Sequence, residues 1–475
     1  MFIFIFASIV FFGTYILIAS EKVHKTTAAM VGASMMFLVV LHGPSHGGSG
    51  DGDHKLSPGE IVTQMAESVV FTQTPELKEH LETAEKHERL DVFARYVNFD
   101  VVFTLAGMML LVNILSGTGI FQYVAIKCAK LAKGSPMTTM IMLVIATAVL
   151  SAFLDNVTTV LLIAPVTLLV ASELGVKPLP FLMAETMASN IGGTATLIGD
   201  PPNLIIGSVA GLDFAAFMIN LAPFIVVILA IYCGCLKLYY GKRLHVTVER
   251  RARIMELNEK AAITDYSNMK RGGVVMILTI IGFLFHGAVG LQPCVVSMAG
   301  ASLALAVCKI DVDHALEKIE WNTLFFFIGL FVLVSGAEQA GLMAKFGTLL
   351  DFTHDWNILV TILVVMWVSG IAAALMNNVS FTAAMVTVVA AFLKSSPAFA
   401  APETQELMWW GLALAVCLGG NGTIVGAAAN LITVGISEKA GHKITFKEFF
   451  RYGFPVTIFS LIAASIYISI RYYML

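Results

Sequence analysis

Residues Ala188 to Ile206 read ASNIGGTATLIGDPPNLII. They stand where a membrane-crossing helix should be continuous and apolar, yet they hold Ser189, Asn190, paired glycines, Asp200, two prolines and Asn203. Gly192, Gly193 and Gly199 admit backbone conformations closed to other residues. Pro201 and Pro202 remove two amide donors and disfavour helix just before them. The stretch is a broken helix. Backbone freed in this way survives in a bilayer only where it lines a protein-enclosed or water-filled cavity, so it reads as one half of a binding site.

Around it lies a chain of 475 residues, 57% hydrophobic and 13% charged, with a mean hydropathy of +0.83. A soluble protein carries roughly 25% charged residues, so this is an all-α polytopic membrane protein whose apolar runs of about 20 residues each suffice to cross a bilayer. The first run, Met1 to Ala19, lacks a basic start and a small-residue cleavage site and reads as a spanning helix rather than a signal peptide. A net charge of −3 argues against a nucleic-acid partner. Cys128, Cys233, Cys235, Cys294, Cys308 and Cys417 show no metal-ligand spacing and read as packing residues. No nucleophile-and-base motif marks an enzyme.

Taken in order, helices over about 2–19 and 26–41 are joined by a turn with Lys22 and Lys25, which the positive-inside rule puts in the cytoplasm and the N-terminus outside. Residues 42–98 form an external polar insert, Gly-rich at first and then a surface helix over about 75–97. His42, His46 and His54 with Asp51 and Asp53 read there as solvated linker rather than a metal site. A helix over 101–122 leads to cytoplasmic Lys127, Lys130 and Lys133. Two apolar limbs follow around Asp155-Asn156-Val157-Thr158, either two spanning helices or a re-entrant hairpin. After the opening stretch come a helix over 214–240 and a basic cytoplasmic loop, 242–271. Helices over 272–289 and 292–308 precede one over 325–342, then limbs over 358–393 around Asn377-Asn378-Val379-Ser380, a broken segment over 410–435 and a last helix over 455–470. The divisions are therefore 1–41, 42–98, 99–241, 242–271, 272–308 and 309–475.

The later limbs repeat the earlier ones. Gly329 minus Gly107, Gly341 minus Gly119, Asn378 minus Asn156 and Ser380 minus Thr158 are each 222. Gly426 minus Gly199, Thr423 minus Thr196 and Asn430 minus Asn203 are each 227, which lays GGTATLIGDPPNLI over GGNGTIVGAAANLI. By the charge rule the first copy starts outside and the second inside. Inverted repeats with interrupted helices in matching places point to a secondary transporter with its site near the membrane midplane.

With FLDNVTTVLL, SNIGGTATLIGDPPN, LMNNVSFTAAM and LGGNGTIVGAAAN in view, the chain resembles the ArsB/NhaD group of permeases in the ion transporter superfamily, and looks closest to the melanosomal P protein branch. The likeness runs from about Val101 to the C-terminus. It implies a scaffold domain, a transport domain with two re-entrant hairpins and two broken helices, a homodimer and elevator-like motion. It pairs the tip at Asp155 to Thr158 with the break at Thr196 to Asn203, and the tip at Asn377 to Ser380 with the break at Asn421 to Asn430. The sodium/proton antiporter branch and the P protein branch commonly carry Asp-Asn at the second tip, where this chain has Asn377, and Ala427 stands where the first break has Asp200. Charge is concentrated in the first half.

Carboxylates inside a membrane are functional by default, which singles out Asp155 and Asp200; their other role is capping of the half-helices that follow. Hard cations want oxygen ligands, so Na⁺ is expected at Asp155, Asn156 and Asp200, with Thr158, Asn378, Ser380, Asn421 and freed carbonyls nearby. Helix N-termini at both tips favour an anion between them. Asn190, Thr196, Gly199, Asn203, Asn377, Thr423 and Asn430 complete the expected ion and substrate site. Glu185 is a proton relay or a structural residue, and His286 is structural. The expectation is an inner-membrane carrier in the lipid bilayer that couples Na⁺ or H⁺, without another cofactor, to a small anion or metalloid oxyanion. A Na⁺/H⁺ antiporter and a channel-like anion conductance are the alternatives.

Overall fold

The structure, a computed structural model, describes residues 2–20, 24–36, 96–342, 345, 353 and 356–475. Every regular element among them is helical. The chain begins with α1 (Phe2–Ser20) and α2 (Lys25–Met36), and α3 (Phe99–Ser116) and α4 (Ile120–Leu131) follow. A helical hairpin, α5 (Pro136–Phe153) and α6 (Asn156–Leu174), precedes the broken pair α7 (Leu179–Gly193) and α8 (Pro201–Ala210). Next are α9 (Phe214–Asn220), α10 (Ala222–Tyr240), α11 (Val248–Glu256), α12 (Tyr266–Val289), α13 (Pro293–Cys308) and α14 (Val312–Glu317). The chain closes with α15 (Trp321–Gln339), a second hairpin of α16 (Ile358–Leu375) and α17 (Asn378–Ser395), a second broken pair of α18 (Pro402–Gly419) and α19 (Ala428–Lys439), and α20 (Phe446–Met474). Nine of the described helices are long and apolar enough to cross a membrane.

Hairpin ends repeat as the residues do: α16 starts at 358 and α5 at 136, α17 starts at 378 and α6 at 156, each 222 apart. Limbs of 18 or 19 residues are about 27 Å long. In each hairpin the helix stops because the residue before the tip turns extended, at Leu154 and at Met376, and restarts because a side chain caps it. Asp155 accepts from the Thr158 amide, and Asn377 accepts from Val379 and Ser380.

Packing separates the helices into two groups. In one, α3 lies on α13, α13 on α12, and α2 on both α1 and α15. Small residues allow these close crossings, as is usual in membranes. A Cβ on Gly107 would meet the Ser297 backbone, and one on Gly329 would meet the backbone of Ala29 and Met30. These glycines are the pair matched by the 222 offset. The other group holds the hairpins and broken helices, with α5 on α7 and α16 on α18. It is interlocked, because α19 packs on α6 and α8 packs on α17. Each broken helix ends on the opposite hairpin.

Several boundaries differ from the sequence expectation. The helix expected over 101–122 stops at Ser116, and α4 starts anew after Gly119, whose φ is +79°. A Cβ there would run into the Ala262 carbonyl, so this glycine lets the 242–271 loop dock. That loop itself contains α11, and Lys130 of α4 holds Glu259 at 2.5 Å, which keeps the Glu259 carboxyl below its ordinary range. The helix expected over 214–240 is two, because Pro223 follows a break at Leu221, and α8 and α9 meet at 112°. The helices expected from 272, 325, 410 and 455 begin earlier, at Tyr266, Trp321, Pro402 and Phe446. Polar first turns hid those starts from an apolar count. The insert 42–98, its surface helix and its histidines lie almost wholly outside the described residues, as do Lys22 and residues 37–41.

Candidate functional site

At the centre of the interlocked group the two tips and two breaks meet. Asp200, fully buried, sits at the N-cap of α8 but makes no side-chain cap bond. Its carboxylate faces the hairpins instead. Asn156 Nδ2 of the first tip donates to Oδ1 at 3.2 Å, and Asn378 Nδ2 of the second tip donates to Oδ2 at 3.4 Å. One acid is thus gripped from both halves.

Asn190, on the last turn of α7, is the other hub. Its Oδ1 accepts from Asn156 at 3.1 Å, while its Nδ2 donates to Asn421 at 2.9 Å and Asn430 at 3.0 Å. Five asparagines and Asp200 therefore form a continuous buried network, in which Asn190 and Asn430 both give and receive. Such networks fix geometry when satisfied and are costly when not. Two buried atoms here have no partner among the described residues, Asn421 Nδ2 and Ser380 Oγ.

Other expected site residues build the breaks rather than line a space. Thr196 donates to the Ala152 carbonyl and Thr423 to the Ala374 carbonyl at 2.5 Å, equivalent bonds in the two halves. Asn203 Nδ2 donates to the carbonyls of Thr194 at 3.2 Å and Thr196 at 2.8 Å. Asn430 Nδ2 does the same for Gly420 and Thr423, both at 2.7 Å. Four of the carbonyls freed by the breaks, those of Thr194, Thr196, Gly420 and Thr423, are thus engaged by side chains of the breaks. Gly199 and Gly426 are required by close approach: a Cβ on either would lie 2.6 or 2.5 Å from the carbonyl oxygen of Gly193 or Gly420. Asp155 does cap, its two oxygens taken by the Thr158 amide at 2.9 Å and hydroxyl at 2.5 Å.

A cavity of about 230 Å³ opens beside this network, lined by Asp155, Asn156, Asp200, Asn378, Glu320 and Lys25. Phe326 and Phe327 form part of its wall, and the Lys25 ammonium lies 5.3 Å from the Phe326 ring centre. It separates the two packing groups, since Lys25 belongs to α2 and Glu320 stands at the N-cap position of α15. Sequence reading did not select Glu320 or Lys25. A signal existed for the glutamate: Glu320 minus Asn98 is 222, and both stand at the N-cap of their helix.

Glu185 is buried behind the network on α7. Thr167 donates to its Oε1 at 2.6 Å, and its Oε2 has no partner among the described residues. His286 is bonded at both nitrogens, to the Leu291 carbonyl at 2.9 Å and the Phe214 amide at 3.4 Å; it ties the end of α12 to α9. Cys417 is more than packing, for its thiol lies 3.3 Å from Asn203 Oδ1.

The citrate transporter family matches residues 15–415 of the chain. An uncharacterized transporter of Mycobacterium bovis is 37% identical over 469 residues, 98% of each chain. The P protein of Sus scrofa is 31% identical over 548 residues, which span 98% of this chain and 59% of that protein. Among solved structures, the YdaH transporter of Alcanivorax borkumensis aligns over 93% of this chain and 98% of its own at a TM-score of 0.57 and 12% identity. MtrF of Neisseria gonorrhoeae, described with a class of antimetabolite efflux pumps, aligns over 97% of both chains at 0.56 and 14%. At those identities the likeness is one of fold.

Proposed function

Because the chain belongs to the citrate transporter family of ArsB/NhaD-type permeases, and is thereby an integral membrane transporter, we propose that it is a secondary carrier coupling Na⁺ or H⁺ to the movement of a small anion, a carboxylate of the citrate class before a metalloid oxyanion. The observation that carries this reading is the two-sided grip on Asp200, one amide from each hairpin tip. A buried carboxylate held by neutral groups alone is stabilised by a proton or a cation. Binding of that ion draws the two tips together. In the adjoining cavity three carboxyls face one base, Lys25, so a polycarboxylate enters only with its coupling cation beside it.

In this reading the hairpins are re-entrant, the copies are inverted, and the interlocked group moves against the other helices as an elevator in a homodimer. The membrane is a bacterial inner membrane with the N-terminus outside. Uptake of radiolabelled citrate, other carboxylates and oxyanions into proteoliposomes under imposed Na⁺ and pH gradients tests it. Transport of any of these that responds to neither gradient sinks the coupling.

The acid-rich cavity also favours a second reading, Na⁺/H⁺ exchange with no anion. Sodium-driven proton flux in vesicles free of carboxylate, abolished in Asp155→Asn, would select it; its absence would leave the anion carrier.

A further inference from the structure

A second and larger cavity, about 510 Å³, runs along α7 on the face turned away from Glu185 and Ser189. Its floor is α7 and its walls are α10 and α20, with Met183 and Ile191, Ile228 and Leu236, and Val456 and Phe459 as apolar contributors. On α7 the positions 183, 187 and 191 share one helical face, and the 3.6-residue period turns Glu185 and Ser189 to the other. The walls run antiparallel. They are clasped at one end, where Phe224 stacks on Tyr467 at 4.7 Å and both Tyr467 and Arg471 bond to Asn220. Toward the other end they part around the cavity.

That open end is aromatic and basic. Tyr239, Tyr240, Tyr452 and Arg451 line it, Arg243 lies 4.2 Å from the Tyr239 ring centre, and Arg451 is exposed and has no ion pair among the described residues. The nearest acid along its helix, Glu448, is engaged in the capping box with Thr445. By the charge rule this end is cytoplasmic, for it leads into Lys242 and Arg250 on one wall and Lys443 and Lys447 on the other. The twelve steps from Ile228 to Tyr240 rise about 18 Å, close to one leaflet of a hydrocarbon core about 30 Å thick.

We propose that this cavity binds an anionic phospholipid, its acyl chain lying along the back of α7 and its head group held by Arg451 among the tyrosines. The depth fits one chain in one leaflet. Charge selects the lipid, because the cytoplasmic leaflet is the anionic one and each basic residue near it adds attraction. An uncharged lipid would fill the groove but leave Arg451 without a partner. The bound chain would support the half-helix that carries Asn190, so the site connects lipid composition to the transport machinery without touching the transported ion.

Full-length protein reconstituted in vesicles of equal parts phosphatidylglycerol and phosphatidylcholine, then extracted and weighed intact by native mass spectrometry, tests this. Wild type is expected to retain phosphatidylglycerol in preference, Arg451→Gln to lose about fivefold of that preference, and Val456→Trp to retain neither lipid. Equal retention of the two lipids by wild type, or an unchanged preference in Arg451→Gln, overturns the proposal. Cross-linking of two copies through exposed Cys235, which lines the groove, would also overturn it by placing a second copy there.

Discussion

The two broken helices share a scaffold and differ in charge. Gly193 to Asn203 and Gly420 to Asn430 use the same glycines in close approach, the same threonine bonded to the hairpin ahead of it, and the same asparagine closing the loop carbonyls. Yet the first begins its second half-helix with Asp200 and two prolines, and the second with Ala427 and two alanines. What the backbone needs is the same in both breaks, and what differs is the charge. The second half contributes to the charged site all the same, because Asn378 reaches across to Asp200 and Asn421 and Asn430 to Asn190.

The sharpest way to break this comparison is to move the acid. Asp200→Asn is expected to lower ion-coupled uptake by about 10- to 100-fold, the range for losing hydrogen bonds to a charged group. Adding Ala427→Asp restores coupling only if the breaks are equivalent in environment as well as backbone; failure to restore is the expected result, read in the same proteoliposome assay. Next in size, Asn156→Ala and Asn378→Ala should each weaken the apparent affinity for the coupling ion by about tenfold. Equal losses support a shared acid, and a loss in Asn156→Ala alone would return the site to the first half.

Stability separates capping from charge at the tips. Asp155→Ala and Asn377→Ala should each cost about 1 kcal/mol in thermal or denaturant unfolding, whereas Asp155→Asn, still a good cap, should cost little. The smallest effect lies outside the membrane. Glu259, held below its ordinary pKa by Lys130, adds stability that is present at neutral pH and is lost as the pH falls through its folded value. Glu259→Gln should therefore narrow the gap in melting temperature between neutral and acidic buffer, slightly and in that direction only.

Much of this was readable in advance, because a broken apolar run is a strong local signal. Asn156, Asn190, Asp200 and Asn378 were singled out by polarity inside apolar sequence, and the structure brings them into one network. Lys25 and Glu320 were not, since each sits at a polar helix start that looks ordinary until a helix some 300 residues away packs over it. Cys417 was read as packing because a lone thiol in an apolar run gives no hint of Asn203 beside it. The split at Gly117 to Gly119 was missed because hydropathy continues across it. The loop that explains the split docks from residue 262.

The interlock of α19 on α6 also sets a schedule. In synthesis α6 begins at residue 156 and its partner α19 at residue 428, so 272 residues separate them. At roughly 5 to 20 residues per second the ribosome needs roughly 15 to 55 s to supply that partner. For that interval Asn190 and Asn156 are in the membrane without Asn421 and Asn430. A half-made chain is therefore a client for whatever holds polar helices at the insertion machinery, and truncation before residue 428 leaves it one permanently.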